Sequence, residues 1–123
     1  MGWTKRSEIK TDFQDILAYI ESIYSFHDYR IGHIHYEGST ARITIEEVIY
    51  GERLAKSTGL VWDFSFDGVR DFQIHVDAVM GFWIHEVVRG NEDGKLVFSL
   101  DQGYIEVFAD AIKLGIPSPE HTE

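Results

Sequence analysis

The sequence has no cysteine, only two prolines and no long apolar run, and each absence excludes a class of protein. Without thiols the chain has no disulfide bonds and no thiolate metal ligands, which fits a reducing cytoplasm. No stretch approaches the ~20 apolar residues that a membrane-spanning helix needs. Residues 1–10 lack the apolar core of a signal peptide. We therefore expect a cytoplasmic chain whose 123 residues form a single domain, with loose termini at residues 1–10 and 115–123.

Basic residues are also scarce. The chain has 11 Lys and Arg against 21 Asp and Glu, a formal net charge of −10. Repulsion from phosphate groups argues against nucleic acids and anionic membranes as partners. A basic protein is a compatible partner, although a net charge of this size also simply keeps a protein in solution.

Several catalytic motifs are missing as well. The sequence contains no G-x-S-x-G elbow, no phosphate-binding glycine loop and no cysteine nucleophile. An acid–base enzyme would need two carboxylates that face each other across a cleft, which sequence alone does not show. We therefore predict a protein that is not an enzyme and that binds no cofactor.

An amphipathic helix is the first element that the sequence predicts. Six apolar residues recur at helical spacing: Phe13, Ile16, Leu17, Ile20, Ile23 and Tyr24. Thr11 and Gln14 have the spacing of a capping box at the start of this helix. The apolar face of this helix must pack against another part of the domain.

After the helix the apolar period changes from 3.6 to 2, which is typical of strands. The clearest strand is 60–66, and Asp67-Gly68 after it predicts a two-residue hairpin into a strand at 72–76. Residues 82–89 are apolar on both faces and are expected centrally or under the helix, while 110–114 fit a strand or a helical turn. Glycine turns divide the chain at 38–39, 91–94 and 101–103. The prediction is an α+β fold: an N-terminal amphipathic helix followed by an antiparallel meander of about seven strands, as a curved sheet or open barrel.

The histidines suggest a small-ligand or divalent-metal-binding site as an alternative function. His33 and His35 form H-x-H on a strand, which places both imidazoles on one face. His75 or His85 from a neighbouring strand could supply a third ligand for a divalent metal. Solvent-facing histidines on a half-exposed sheet would give the same pattern.

Phe26-His27-Asp28 lies between the helix and the first strand that follows it. An adjacent histidine and aspartate could be a general base and its orienting group. Neighbours on an extended chain point apart, however, so we favour a structural junction in which Phe26 enters the core.

Acidic and aromatic residues are the candidate binding residues. Asp63, Ser65 and Asp67 share one strand face, and Asp71 and Glu86 add further carboxylates nearby. Trp83 lies beside Phe82 and should point to the opposite face, so one of the two aromatics is expected to be exposed. Such an exposed face, or a sheet edge, could also form a homodimer.

Two short segments carry a resemblance to known proteins. Phe26-His27-Asp28 leads an alternating segment, and Phe64-Ser65-Phe66-Asp67-Gly68-Val69 precedes another strand. This pattern resembles a group of small bacterial proteins with an "FHD" opening and an "F-x-G-V" hairpin, some of which are similar to immunity proteins of toxin systems. The resemblance implies a β-rich fold and no catalytic residue. An immunity protein covers the site of a toxin, and many such toxins are basic. We therefore expect a non-enzymatic interaction domain, of which an immunity-like protein is one form. Its candidate contacts are Asp63, Asp67, Asp71, Trp83 and Glu86.

Overall fold

The computed structural model describes residues 6–50, 55–77 and 82–118. The elements in chain order are β1 (Arg6–Lys10), α1 (Phe13–Ser22), β2 (Arg30–Glu37), β3 (Thr40–Tyr50), β4 (Ala55–Val76), β5 (Ile84–Arg89), β6 (Lys95–Leu100) and β7 (Gly103–Pro117). A short turn (Tyr24–Phe26) follows α1. None of the helices in these ranges has the length and apolar character to cross a membrane.

All strand pairs are antiparallel, which confirms the predicted α+β class. The sheet order is β2-β3-β4-β7-β6-β5, and β1 pairs with the end of β7. The sheet is curved and not closed, although an isolated bridge between Arg30 and Trp83 links its two outermost regions. The meander therefore returns to its start at one end of the molecule.

Parts of both predicted loose termini are strands. Residues 6–10 form β1 because the end of β7 offers them an edge to pair with, from Lys10 opposite Leu114 to Arg6 opposite Pro117. Residues 115–117 are the last part of β7, and 110–114 are strand and not a helical turn. The outer parts of both predicted termini, residues 1–5 and 119–123, lie outside the described residues.

Helix α1 covers the concave face of the sheet. Its N-cap is Asp12 and not the predicted Thr11, because the Asp12 carboxylate accepts a hydrogen bond of 3.0 Å from the backbone N–H of Asp15. Ile16 and Ile20 are buried beneath the helix. Trp62 Nε1 on β4 donates to the Tyr19 hydroxyl at 2.8 Å, which ties the helix to the sheet.

The predicted hairpin at Asp67-Gly68 is wrong, because both residues lie inside β4. Gly68 has φ +64°, and a Cβ there would lie 2.5 Å from Asp110 Oδ2 on β7. The register between β4 and β7 also shifts between Val69 and Asp71. A glycine with positive φ and a bulge bend a strand without ending it, so the same residues that suit a hairpin here produce a bend.

The two faces of the sheet differ completely in character. Phenylalanines 64, 66 and 98 fill the concave side together with isoleucines and leucines from β3, β6 and β7. Among the described residues no polar or charged side chain is buried. β5 is the last strand in the sheet order and lies against α1, in agreement with one of the two positions predicted for it. Polar residues that could bind a partner therefore lie on the outer face or at the ends of the strands.

Candidate binding cleft and outer face

The Phe26-His27-Asp28 segment is a structural junction. Phe26 is fully buried, and its ring packs against Tyr29, Trp62 and Phe64 at centroid distances of 5.9, 5.5 and 6.0 Å. His27 Nδ1 lies 2.8 Å from the carbonyl oxygen of His85 on β5. The segment thus joins the helix to the sheet at the point where the two ends of the sheet meet.

The backbone of this junction is left-handed. Tyr24, Ser25 and Phe26 have φ of 59°, 56° and 60°, and Asp28 has φ of 69°. Such values are uncommon for residues other than glycine. They persist where surrounding structure holds them, often at functional sites. A hydrogen bond of 2.9 Å from Asp28 N–H to the Ile84 carbonyl fixes the end of the turn, so Asp28 is held at the end of the sheet.

Asp28 is one wall of a cleft of about 420 Å³, which we name the aromatic–acidic cleft. Its other walls are Tyr50 at the end of β3, Trp83 before β5 and Asp101 in the β6–β7 turn. The Tyr50 hydroxyl donates to the Asp28 carbonyl oxygen at 2.6 Å, and the Asp101 N–H donates to the Trp83 carbonyl oxygen at 3.0 Å. The two rings lie 5.8 Å apart with an interplanar angle of 33°. One side-chain hydrogen bond, one backbone hydrogen bond and a ring contact therefore hold four distant segments together.

The electrostatics of the cleft are negative. Burial raises the pKa of Tyr50, and the nearby carboxylates of Asp28 and Asp101 raise it further, while Arg30 opposes them. The Arg30 guanidinium carbon lies 5.4 Å from the centroid of the Trp83 ring. Its Nε donates to Glu46 Oε2 at 2.9 Å, so a carboxylate already compensates its charge. Tyr50 stays neutral, and Asp28 and Asp101 dominate the charge of the cleft.

Of the predicted binding residues, Trp83 alone belongs to this cleft. Asp63, Asp67, Asp71 and Glu86 lie on the outer face, since each alternates with residues of the core. Asp63 is held by Arg42, whose Nε and Nη2 donate to its two carboxylate oxygens at 2.8 and 2.6 Å. The predicted acidic residues thus share one face, but they do not form one cluster.

Ion pairs occupy most of the described cations of the sheet. The pairs are Lys10–Glu8, Arg30–Glu46, Arg42–Asp63, Arg70–Asp110, Arg89–Asp93 and Lys95–Glu106. Within the described part of the chain, Asp67, Asp71 and Glu86 form no ion pair. Asp67 and Glu86 are exposed, and Asp71 accepts a hydrogen bond of 2.8 Å from Gln73. Asp67 and Glu86 therefore keep their charge available on the outer face, whereas half-buried Asp71 also interacts electrostatically with Lys95.

The histidines do not assemble the predicted metal site. His33 and His35 do share a face, with ring centroids 6.3 Å apart, but His75 stacks on Tyr104 at 5.0 Å. His85 instead contacts His27, with ring centroids at 5.6 Å. Across residues 6–50, 55–77 and 82–118 no group of three His, Asp or Glu side chains could hold a metal ion. The geometry gives no support to metal binding by His33, His35 and His75.

Sequence reasoning missed Tyr50 and Asp101, and it considered Asp28 as a junction residue or as the orienting group of His27. Tyr50 ends a strand and Asp101 starts a turn, so neither stands in a motif. The one usable signal was the run of polar and aromatic residues around His27. Pairing across the ends of the sheet brings these residues together, and no local pattern encodes that pairing.

Comparisons with protein-family models, with curated proteins and with solved structures find no match to this chain. The function proposed below is therefore argued from the chain's own residues.

Proposed function

We propose that this protein is a non-enzymatic interaction domain that binds a basic protein through the outer face of its sheet. The observation that supports this most directly is the imbalance of charge on that face. Most described cations are paired, while Asp67, Asp71 and Glu86 form no ion pair in the described ranges. Complementary charge accelerates association and selects among partners.

The position of these carboxylates favours binding by a preformed surface. Asp67 and Asp71 lie on either side of the bend in β4. Asp67 has neighbours on both sides, in β3 and β7, and Asp71 pairs with β7. Fully buried residues such as Phe64 and Phe66 support the same strand from the concave side. A rigid sheet of this kind needs little rearrangement when a partner binds.

The more specific form of the proposal is an immunity-like protein that covers the site of a basic toxin in the cytoplasm. Its support is the small cysteine-free chain, the net charge of −10 and the resemblance of the Phe26-His27-Asp28 and Phe64–Val69 segments to such proteins. A partner that is toxic when expressed alone and harmless together with this chain would establish this form. Partners that are never toxic would leave only the general interaction domain.

The charge argument is tested with two variants of equal net charge. Asp67→Asn/Glu86→Gln removes two unpaired carboxylates from the outer face, and Asp15→Asn/Glu21→Gln removes two from the helix. Partner captured from the source cells is compared between about 0.01 M and about 0.15 M salt, where the Debye length falls from about 30 Å to about 8 Å.

We expect the outer-face variant to associate about tenfold more slowly and to lose part of the salt dependence. The helix variant should behave as the wild type does. Equal behaviour of the two variants, or binding that does not respond to salt, would contradict the proposal.

A further inference from the structure

The aromatic–acidic cleft has the chemistry of a cation site. Asp28 and Asp101 are exposed carboxylates, and the rings of Tyr50 and Trp83 form two walls of the cleft. Carboxylates attract a cation by charge, and aromatic faces attract it through their quadrupole. At about 420 Å³ the cleft has room for the end of a long side chain.

The shape of the cleft favours arginine over lysine. A guanidinium group is planar, so it can stack on an indole or phenol ring while its N–H groups donate to a carboxylate. An ammonium group is a compact and strongly hydrated point charge that gains less from a flat ring. Two rings beside two carboxylates therefore match a guanidinium in both respects.

Arg30 shows within the molecule that the Trp83 ring accepts a guanidinium group. Its guanidinium carbon lies 5.4 Å from the centroid of the Trp83 ring, so this indole already holds a guanidinium group. Glu46 pairs with Arg30 at 2.9 Å, which reduces the repulsion that a second guanidinium would meet. His27 lies beside the Asp28 carboxylate, with Nε2 at 3.5 Å from Asp28 Oδ2.

We infer that the aromatic–acidic cleft binds an arginine side chain presented by the basic partner. The inference rests on the proposed function, since it names the group by which that partner is recognised at the end of the sheet. The outer face then contributes long-range attraction, and the cleft contributes the anchored contact. Central aromatic and arginine contacts dominate many protein interfaces.

The test uses the full chain and three acetylated, amidated tripeptides: Gly-Arg-Gly, Gly-Lys-Gly and Gly-citrulline-Gly. Citrulline keeps the size of arginine and lacks its charge. Binding is followed by NMR through the indole N–H signal of Trp83, which Trp83→Phe identifies among the three tryptophans. The arginine peptide should give a saturable shift, with the lysine peptide about threefold weaker and the citrulline peptide at least about tenfold weaker.

Two variants of equal charge locate the site. Asp28→Asn/Asp101→Asn should weaken arginine binding about tenfold. It should leave the fold intact, because asparagine tolerates the positive φ of residue 28. Asp15→Asn/Glu21→Gln on the helix should bind as the wild type does.

Three results would overturn the inference: equal binding of the citrulline peptide, stronger binding of the lysine peptide, or equal weakening by the two double variants. If the cleft does not bind arginine but Asp67→Asn/Glu86→Gln still slows partner association, the proposed function remains supported. If the cleft binds arginine but the outer-face variant has no effect, the proposed function fails and the cation site remains.

Discussion

The left-handed turn after α1 and the bend in β4 both adopt positive φ, but by different means. The left-handed turn after α1 has φ of 59°, 56° and 60° at Tyr24, Ser25 and Phe26, while the bend in β4 has φ of 64° at Gly68. A residue with a β-carbon loses about 1–2 kcal/mol in this region of φ and ψ, and glycine loses nothing. The bend therefore follows from the freedom of one glycine, whereas the turn depends on the packing around it.

Each region positions one part of the proposed binding surface. The left-handed turn leads to Asp28 in the aromatic–acidic cleft. The bend separates Asp67 from Asp71 on the outer face. Backbone strain is therefore concentrated beside the cleft, the kind of place where it is found at functional sites, and the outer face is shaped by an unstrained residue.

The largest predicted effect is the loss of the anchor of the left-handed turn. Phe26→Ala removes a fully buried ring that packs against three other aromatic rings. We expect the free energy of unfolding to fall by about 3–5 kcal/mol, measured by denaturant unfolding.

Tyr24→Ala is the matched control, because Tyr24 has the same φ but its side chain is 84% exposed. It should change the free energy of unfolding by less than about 1 kcal/mol. If both variants lose the same stability, the turn is not held by Phe26.

The bend gives the second prediction. Gly68→Ala adds a Cβ at 2.5 Å from Asp110 Oδ2 and 2.9 Å from Asp110 Cβ, in addition to the strain of φ +64°. We expect a loss of about 2–4 kcal/mol in the free energy of unfolding. Gly38→Ala has φ +63° with no atom within 4 Å of the new Cβ, so it should lose only about 1 kcal/mol.

The double variant Gly68→Ala/Asp110→Ala separates the two causes. It should recover part of the difference between Gly68→Ala and Gly38→Ala, since it removes the carboxylate at 2.5 Å while the β-carbon of residue 110 at 2.9 Å remains. A Gly68→Ala variant as stable as Gly38→Ala would mean that β4 and β7 do not approach closely at the bend.

The same bend shows how far the fold could be predicted. Alternation identified strands on both sides of Asp67-Gly68, because the pattern of buried residues is local. Whether the chain reverses or continues there depends on pairing, and β7 pairs with both halves, from Val76 opposite Gly103 to Asp63 opposite Gly115. A strand some forty residues later in the chain thus decided between a hairpin and a bend.

The candidate site was less accessible to prediction for the same reason. Alternation correctly placed Asp63 and Asp67 on one face, but it could not show that Arg42 on the neighbouring strand neutralises Asp63. Trp83 was singled out from its position beside Phe82. Its neighbours Tyr50 and Asp101 come from distant segments, so only the approach of the two sheet ends, linked by the Arg30–Trp83 bridge, reveals the cleft.

The third prediction concerns pH and the packing that follows the left-handed turn. Burial raises the pKa of Tyr29 to about 12 from 10.0, and the charge of Glu47 and a hydrogen bond to it contribute further. The Tyr29 hydroxyl donates to Glu47 at 3.1 Å. The folded state thus keeps this proton where the unfolded state loses it, so the stabilisation is complete below pH 10 and is lost as the pH rises towards 12.

Denaturant midpoints across this pH window measure the effect. Over this pH range the Tyr29→Phe variant should lose less stability than the wild type does. The loss that remains comes from Tyr19 and Tyr50, because burial also raises their pKa values. Glu47→Gln should be intermediate, since burial of Tyr29 is the larger cause. A Tyr29→Phe variant with the full wild-type loss would contradict the assignment.

The smallest predicted effect isolates backbone strain in the left-handed turn. Ser25→Gly relieves about 1–2 kcal/mol of strain in the folded state. The greater entropy of the unfolded chain offsets about 0.4–1 kcal/mol of this gain. The free energy of unfolding should therefore rise by about 0.5–1 kcal/mol. Ser25→Ala keeps the β-carbon and should give no gain. A Ser25→Gly variant less stable than the wild type would show that the turn is relaxed with its own residues. A gain confined to glycine would show that strain persists beside the cleft because Phe26 and its neighbours hold it there.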